Sequence, residues 1–341
     1  MVGFSPISYC PYWAHKEPVE KTGSSPKIDC SISLALLKFA SSFKEKFKRG
    51  LMKWYVVPLL LITTTVFSSP QQHRASSAPY ISGDSFRTYC DFSFDELNNT
   101  FLPSEIRQGS TIFVKTDYLQ RFFKEVHPFI TSRYILVSHN SDDSAPGPFT
   151  SYLNEDKIIA WFAQNTDARH PKLHPIPIGI ANRCWPHGNI DIVKNQQTLL
   201  SKNIRNIFLY MNFCSGTYPT ERNLVAQLFQ EKPYCLIASP KPYELYLQDL
   251  ARSKFVLSPR GNGLDTHRTW ESLLLGAIPI VHESYLDPMY DNLPVLIIKD
   301  WNAITPEFLQ DQYEKICARS HQVEKIYINY WINLIDSYKN K

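Results

Sequence analysis

Apolar and polar positions alternate along the chain in a way that predicts strands and helices in turn. Thr111 to Lys115, Tyr134 to Val137 and Lys157 to Phe162 are short apolar runs that read as buried strands. Leu173 to Ile180 is a fourth, broken by Pro175 and Pro177 and so expected at an edge or as an irregular strand. Between the first two, Asp117 is placed to cap a helix over Tyr118 to Val126, which His127-Pro128 stops. From Asn206 the same alternation resumes. Strands are expected at Asn206–Met211, Cys235–Ala238, Phe255–Leu257, Ile278–Val281 and Val295–Ile298. Helices are expected over Thr220–Gln230 (opened by Pro219, with Leu224, Val225 and Leu228 as its apolar stripe), Pro242–Arg252, His267–Leu275 and Pro306–Ala318. Val323 to Tyr338 reads as a last, aromatic helix. Strand–helix alternation of this kind predicts an α/β fold with parallel sheets.

Residues 254–281 concentrate the chemistry. The strand ending at Leu257 runs into Ser258-Pro259-Arg260-Gly261-Asn262-Gly263-Leu264, after which Asp265 or Thr266 can cap the next helix and Gly276 ends it. Two glycines let the backbone approach a bulky group, and a helix start favours an anion. Arg260 and Arg268 bring paired donors suited to phosphate oxygens, and Glu271 offers an acceptor for a diol such as a ribose. The same Arg268 and Glu271 could equally form an i,i+3 ion pair on an ordinary helix. Glu283, after the Ile278–Val281 strand, falls on the ligand side as well, as a contact to base or sugar or as a solvated carboxylate.

The first half offers the opposing groups. His139, Asp142 and Asp143 follow the Tyr134–Val137 strand directly, where open α/β sheets bind ligands. An imidazole or carboxylate there can take a proton from an acceptor hydroxyl. The alternatives are that the aspartates merely open a turn, or that His139 and Asp142 begin a metal site. Arg183, in the loop Asn182 to Asn189, could reach a diphosphate from this side.

The segment from Ser258 to Val281 resembles the donor-binding core of exostosin-like glycosyltransferases, glycosyltransferase family 47 and its relatives. Their Ser-Pro-Arg-Gly loop, His-Arg-x-Trp-Glu helix (His267 to Glu271 here) and Gly-x-Ile-Pro-Ile-Val strand are matched residue for residue. Elsewhere the likeness is diffuse. The resemblance implies a GT-B-like fold, two Rossmann-like domains facing a cleft, with a nucleotide-sugar donor on the C-terminal half and inverting transfer. UDP-sugar would be co-substrate, a glycan or glycoconjugate the acceptor, with neither cofactor nor metal. Arg260, Gly261, Asn262, Gly263, Asp265, His267, Arg268 and Glu271 would hold the donor, joined by Arg183 and Glu283. A degenerate module that binds nucleotide sugar or glycan without turnover is the alternative, and a phosphoesterase built on Asp142, Asp143 and the histidines a third.

Composition narrows the rest. The 341 residues allow two domains, placed at 80–200 and 201–318 with a C-terminal helix over 319–341. A net charge of +4 argues against nucleic acid as partner. Seven cysteines, none in a Cys-x-x-Cys pair, leave at least one thiol free. Residues 1–51 read as an upstream extension, with translation starting at Met52, and 52–69 as a signal peptide or an uncleaved anchor through the apolar run 54–67. Either implies the secretory pathway, in the Golgi or endoplasmic reticulum lumen of a eukaryote, or export in a bacterium. Asn98-Asn99-Thr100 is a sequon in the eukaryotic case.

Overall fold

The computed structural model describes residues 74–200 and 204–341. The expected extension and anchor at 1–51 and 52–69 lie outside the described residues. Among those described, no helix is long and apolar enough to cross a membrane.

Two five-stranded sheets, all parallel, organise the chain. The first takes β1 (Phe92–Phe94), β2 (Ser110–Lys115), β3 (Tyr134–His139), β4 (Ile158–Ala163) and β5 (Leu173–Pro175), in chain order across the sheet. Helices α1 (Gly83–Tyr89) and α2 (Leu119–Glu125) belong to this half, and α3 (Ile190–Leu199) leads from it into the second. The second takes β6 (Ile207–Met211), β7 (Cys235–Ile237), β8 (Ser253–Leu257), β9 (Ile278–His282) and β10 (Leu296–Ile298), with α4 (Pro219–Phe229), α5 (Tyr243–Arg252), α6 (His267–Leu274), α7 (Asp287–Tyr290) and α8 (Pro306–Cys317). Helix α9 (Ile328–Asp336) closes the chain.

The order of the second sheet is β10-β9-β8-β6-β7, the flavodoxin-like doubly wound arrangement. Direction reverses between β6 and β8, so their carboxyl ends part there and leave the crevice in which such sheets bind ligands. The first sheet, running in sequence, has no reversal. Of the two sheets, the second therefore has the topological switch point.

Side-chain alternation along the strands divides the interior in three. Ile112, Val114, Leu136 and Trp161 face an outer core with Phe122 and Phe123 of α2. Leu209, Met211, Phe255 and Leu257 face another with Val225 and Phe229 of α4. The opposite faces, through Phe113, Ile135 and Phe162 in one half and Tyr210, Val256 and Trp270 in the other, share a single core with Trp331 and Ile335 of α9. The last helix returns to the first half, where Tyr89 Oη donates to Asp336 at 2.6 Å and Tyr338 packs edge-on to Phe162. The two halves form one GT-B-like α/β body whose sheets face each other through their carboxyl ends.

Some expectations need correction. Asp117 caps nothing, because Thr116–Tyr118 forms a 3-10 turn ahead of α2. The buried stripe of α4 is Arg222, Val225 and Phe229 rather than Leu224, Val225 and Leu228, and Leu224 is exposed. Val323–Tyr338 divides into a 3-10 turn, Val323–Ile326, and α9. Gly276 ends α6 with φ +70°, as its place after the helix requires.

Candidate functional site

The loops leaving β3 and β4 meet the loop leaving β8. Asn140 and Asn165, one or two residues past those strands, both adopt the left-handed conformation (φ 61° and 54°), which asparagine tolerates better than most residues. Asn165 turns back as a clamp. Its Oδ1 accepts the Asp265 N–H at 2.9 Å, while its Nδ2 donates to Ser141 O at 3.3 Å and Asp142 O at 3.4 Å. A Cβ on Gly263 would lie 2.5 Å from that Nδ2, so the glycine is needed for the two halves to close.

Asp265 is a connector, which corrects its expected place in the donor site. Its buried carboxylate accepts from Ile178 N in the first half (2.8 Å) and from Trp270 Nε1 (2.7 Å), Thr266 N (2.9 Å) and Tyr290 Oη (3.2 Å). Burial nevertheless pushes its pKa up to about 6. Lying just before α6, it also occupies the anion-favouring helix start with the chain's own charge. His267 makes a second tie, its Nδ1–H donating to Gly179 O at 2.7 Å.

His139 cannot serve as the base. It is 1% exposed, its Nε2–H donates to Pro177 O at 3.0 Å, and its Nδ1 accepts the Asn140 N–H at 2.7 Å. Both nitrogens are occupied in the neutral ring, and burial lowers its pKa to about 4. Glu271 is corrected likewise. It is 1% exposed, and its two oxygens accept from Tyr243 Oη (3.1 Å) and Tyr246 Oη (3.0 Å), so in this conformation it is closed to a ribose. Burial raises its pKa to about 7.

Asp142 and Asp143 are both exposed, but only Asp142 engages the β8 loop, its Oδ2 accepting from Asn262 Nδ2 at 3.0 Å. The Asp143 N–H donates to Ser141 Oγ at 3.1 Å. Arg183 is exposed in a loop whose His187 ring lies 6.2 Å from that of His267. Glu283 is exposed beside Lys299 at 3.7 Å, past the end of β9 and on the far side of β8 from the crevice.

Three guanidinium groups gather at the crevice between β6 and β8. Arg260 is half-buried, its guanidinium 4.4 Å from the centre of the Tyr218 ring, with Nε–H donating to Gly261 O (3.3 Å) and Nη2 to Asn262 O (2.8 Å). Arg268 lies deeper, 2% exposed, its Nε–H donating to Asn212 O at 3.0 Å and its guanidinium 5.5 Å from the Phe213 ring. It can act on a ligand through its field, not by contact. Arg222 of α4 approaches the same Phe213 ring at 5.6 Å from its guanidinium. The Gly261 N–H donates to Gly263 O at 3.1 Å, so this amide is not bare as expected.

Sequence reasoning missed Arg222, Tyr218 and the role of Asn165 as a clamp, although it places Gln164-Asn165 as polar groups at a strand end. The signal for Arg222 was the i, i+3, i+7 spacing of 222, 225 and 229, hidden by the more apolar 224, 225 and 228. Among the described residues, no group of three or more His, Cys, Asp or Glu gathers as a metal-holding set.

No protein-family model and no curated protein matches the chain. Among the solved structures similar to it are two glycosyltransferase-related ones. One is the GtfA/B complex, at 13% identity and a TM-score of 0.34 over 70% of this chain and 59% of that one. The other is the pneumococcal O-GlcNAc transferase GtfA in complex with UDP and GlcNAc, at 12% and 0.35 over 70% and 58%. The chain thus spans under three-fifths of the length of either. TM-scores this low bear on neither fold nor activity.

Proposed function

We propose that the chain is a glycosyltransferase that moves a sugar from a nucleoside-diphosphate sugar, a UDP-sugar in particular, to a hydroxyl of a glycan. The observation that carries this reading is the meeting of Arg260, at the topological switch point of one sheet, with Asp142, at the strand ends of the other, through Asn262. Arg260 Nη1 makes no hydrogen bond to the described residues and is available to the departing diphosphate, where charge grows as the sugar–oxygen bond breaks. Asp142, with one oxygen held by Asn262, takes the proton of the attacking hydroxyl on the opposite face of the sugar. The acceptor oxygen bonds to the anomeric carbon as the bond to the diphosphate oxygen breaks, which inverts the configuration.

One observation favours a second reading, a binding module without turnover. Asn262 closes directly on Asp142, and Arg260 turns Nε and Nη2 to its own loop carbonyls, so much of the polar capacity of the site is already taken up within it. Incubating the full chain with a panel of UDP-sugars and glycan acceptors, and following UDP release and the anomeric configuration of the product by NMR, separates the two. UDP release that is lost in Arg260→Ala at an unchanged melting temperature supports transfer. Saturable binding with no release from any donor supports the module.

A further inference from the structure

Arg222 spans the crevice that the sheet topology opens. Its Nε–H donates to Arg260 O on the β8 side at 2.7 Å, and its Nη1 donates to Cys214 O on the β6 side at 2.7 Å. One planar guanidinium therefore fixes the separation of the two walls, which a lysine, with a single ammonium, cannot reproduce. The side chain is only 3% exposed. Its backbone is tied to the same place, since the Arg222 N–H donates to Tyr218 O at 3.1 Å and the Tyr218 ring carries the Arg260 guanidinium. The third nitrogen faces Gly261, where a Cβ would stand 3.2 Å from Nη2.

Resting on the transferase reading above, we propose that Arg222 is a positioning residue that sets the Arg260 loop to the span of a diphosphate and so gives the site its preference for nucleoside diphosphate over monophosphate. The Arg222 guanidinium holds Arg260 by its carbonyl, while the backbone N–H at the same position anchors Tyr218 beneath the Arg260 side chain. The geometry it fixes governs where the Arg260 guanidinium can meet the second phosphate, and leaves contacts to the nucleoside untouched.

The test measures UDP, UMP and uridine binding to the full chain by titration calorimetry, for wild type and Arg222→Lys, with ligand-free melting temperatures alongside. In Arg222→Lys the UDP-to-UMP affinity ratio is expected to fall about tenfold, the worth of one charge-assisted hydrogen bond, with uridine binding unchanged. A role in stability alone would lower all three affinities together with the melting temperature, and that result overturns the inference. Gly261→Ala, which crowds Nη2 without removing the arginine, is expected to lower the same ratio and serves if the lysine variant does not fold. A wild type that prefers UDP, with the ratio unmoved in both variants, overturns the inference and leaves the transferase reading standing. A wild type that binds no nucleoside diphosphate overturns both.

Discussion

The Asp265 carboxylate, on the loop after β8, accepts the backbone N–H of Ile178 from the other half at 2.8 Å. The residue that sequence places at a ligand is in fact one of the joints between the halves. Asp265→Asn keeps the shape but presents an amide NH₂ to groups that are themselves donors. Leaving buried donors unsatisfied typically costs 1–3 kcal/mol each, so a loss on the order of 3 kcal/mol is expected. Urea unfolding checks this, and a midpoint equal to wild type would show that the joint contributes little.

The pH dependence of Glu271 has a definite sign. Its folded pKa is raised from 4.5 to about 7, so between those values the folded state holds more protons than the unfolded chain. Its contribution to stability is therefore full below about pH 4.5 and declines until about pH 7, by on the order of 3 kcal/mol. Glu271→Gln can still bond both tyrosine hydroxyls and has no titration. The melting temperature of the variant minus that of wild type is expected to rise from pH 5 to pH 8. His139 works in the other direction, losing stability as pH falls from about 6.5 to 4, and cancels in this difference. A difference that is flat with pH would place the Glu271 carboxyl in water.

Gly263 and Asn165 should couple. Gly263→Ala forces a methyl against Asn165 Nδ2, an overpacking that typically costs about 1–3 kcal/mol. Asn165→Gly removes the obstacle and is at ease with the positive φ at that position. In a double-mutant cycle the alanine should cost less in the glycine background, by more than about 0.5 kcal/mol. Additive effects would mean that Asn165 moves aside freely.

Under the transferase reading, the acids and the histidine part company. Asp142→Asn is expected to lower the transfer rate by about 10²–10⁴-fold, with the melting temperature unmoved because the side chain is exposed. His139→Gln is expected to lower the melting temperature instead, since the ring bonds on both sides within the interior. Comparing turnover with thermal melts for the two variants checks both assignments, and full activity in Asp142→Asn would remove it as base.

The parallel α/β alternation was legible because nine of the strands or their cores are apolar runs bounded by turn residues. Short elements were not. Phe92–Phe94, with three residues, and α1, rich in polar groups, carry too little period to read. The Ser258–Leu264 loop reads in sequence as a nucleotide site, but the roles within it depend on the partner half, which no local pattern encodes. Glu271 reads as an acceptor for a ribose until Tyr243 and Tyr246 close over it. Asp265 reads as a helix cap until Ile178 and Trp270 find it. Arg222 was hidden because a buried guanidinium bonded to two carbonyls looks, in sequence, like any exposed arginine of a helix.

The most direct measurement is a crystal structure of the full chain grown with UDP. The diphosphate is expected between the loops that leave β6 and β8, with a phosphate oxygen within hydrogen-bond distance of the Arg260 guanidinium. UDP bound at any other place, or crystals that remain empty at saturating UDP, would contradict a diphosphate site at the switch point.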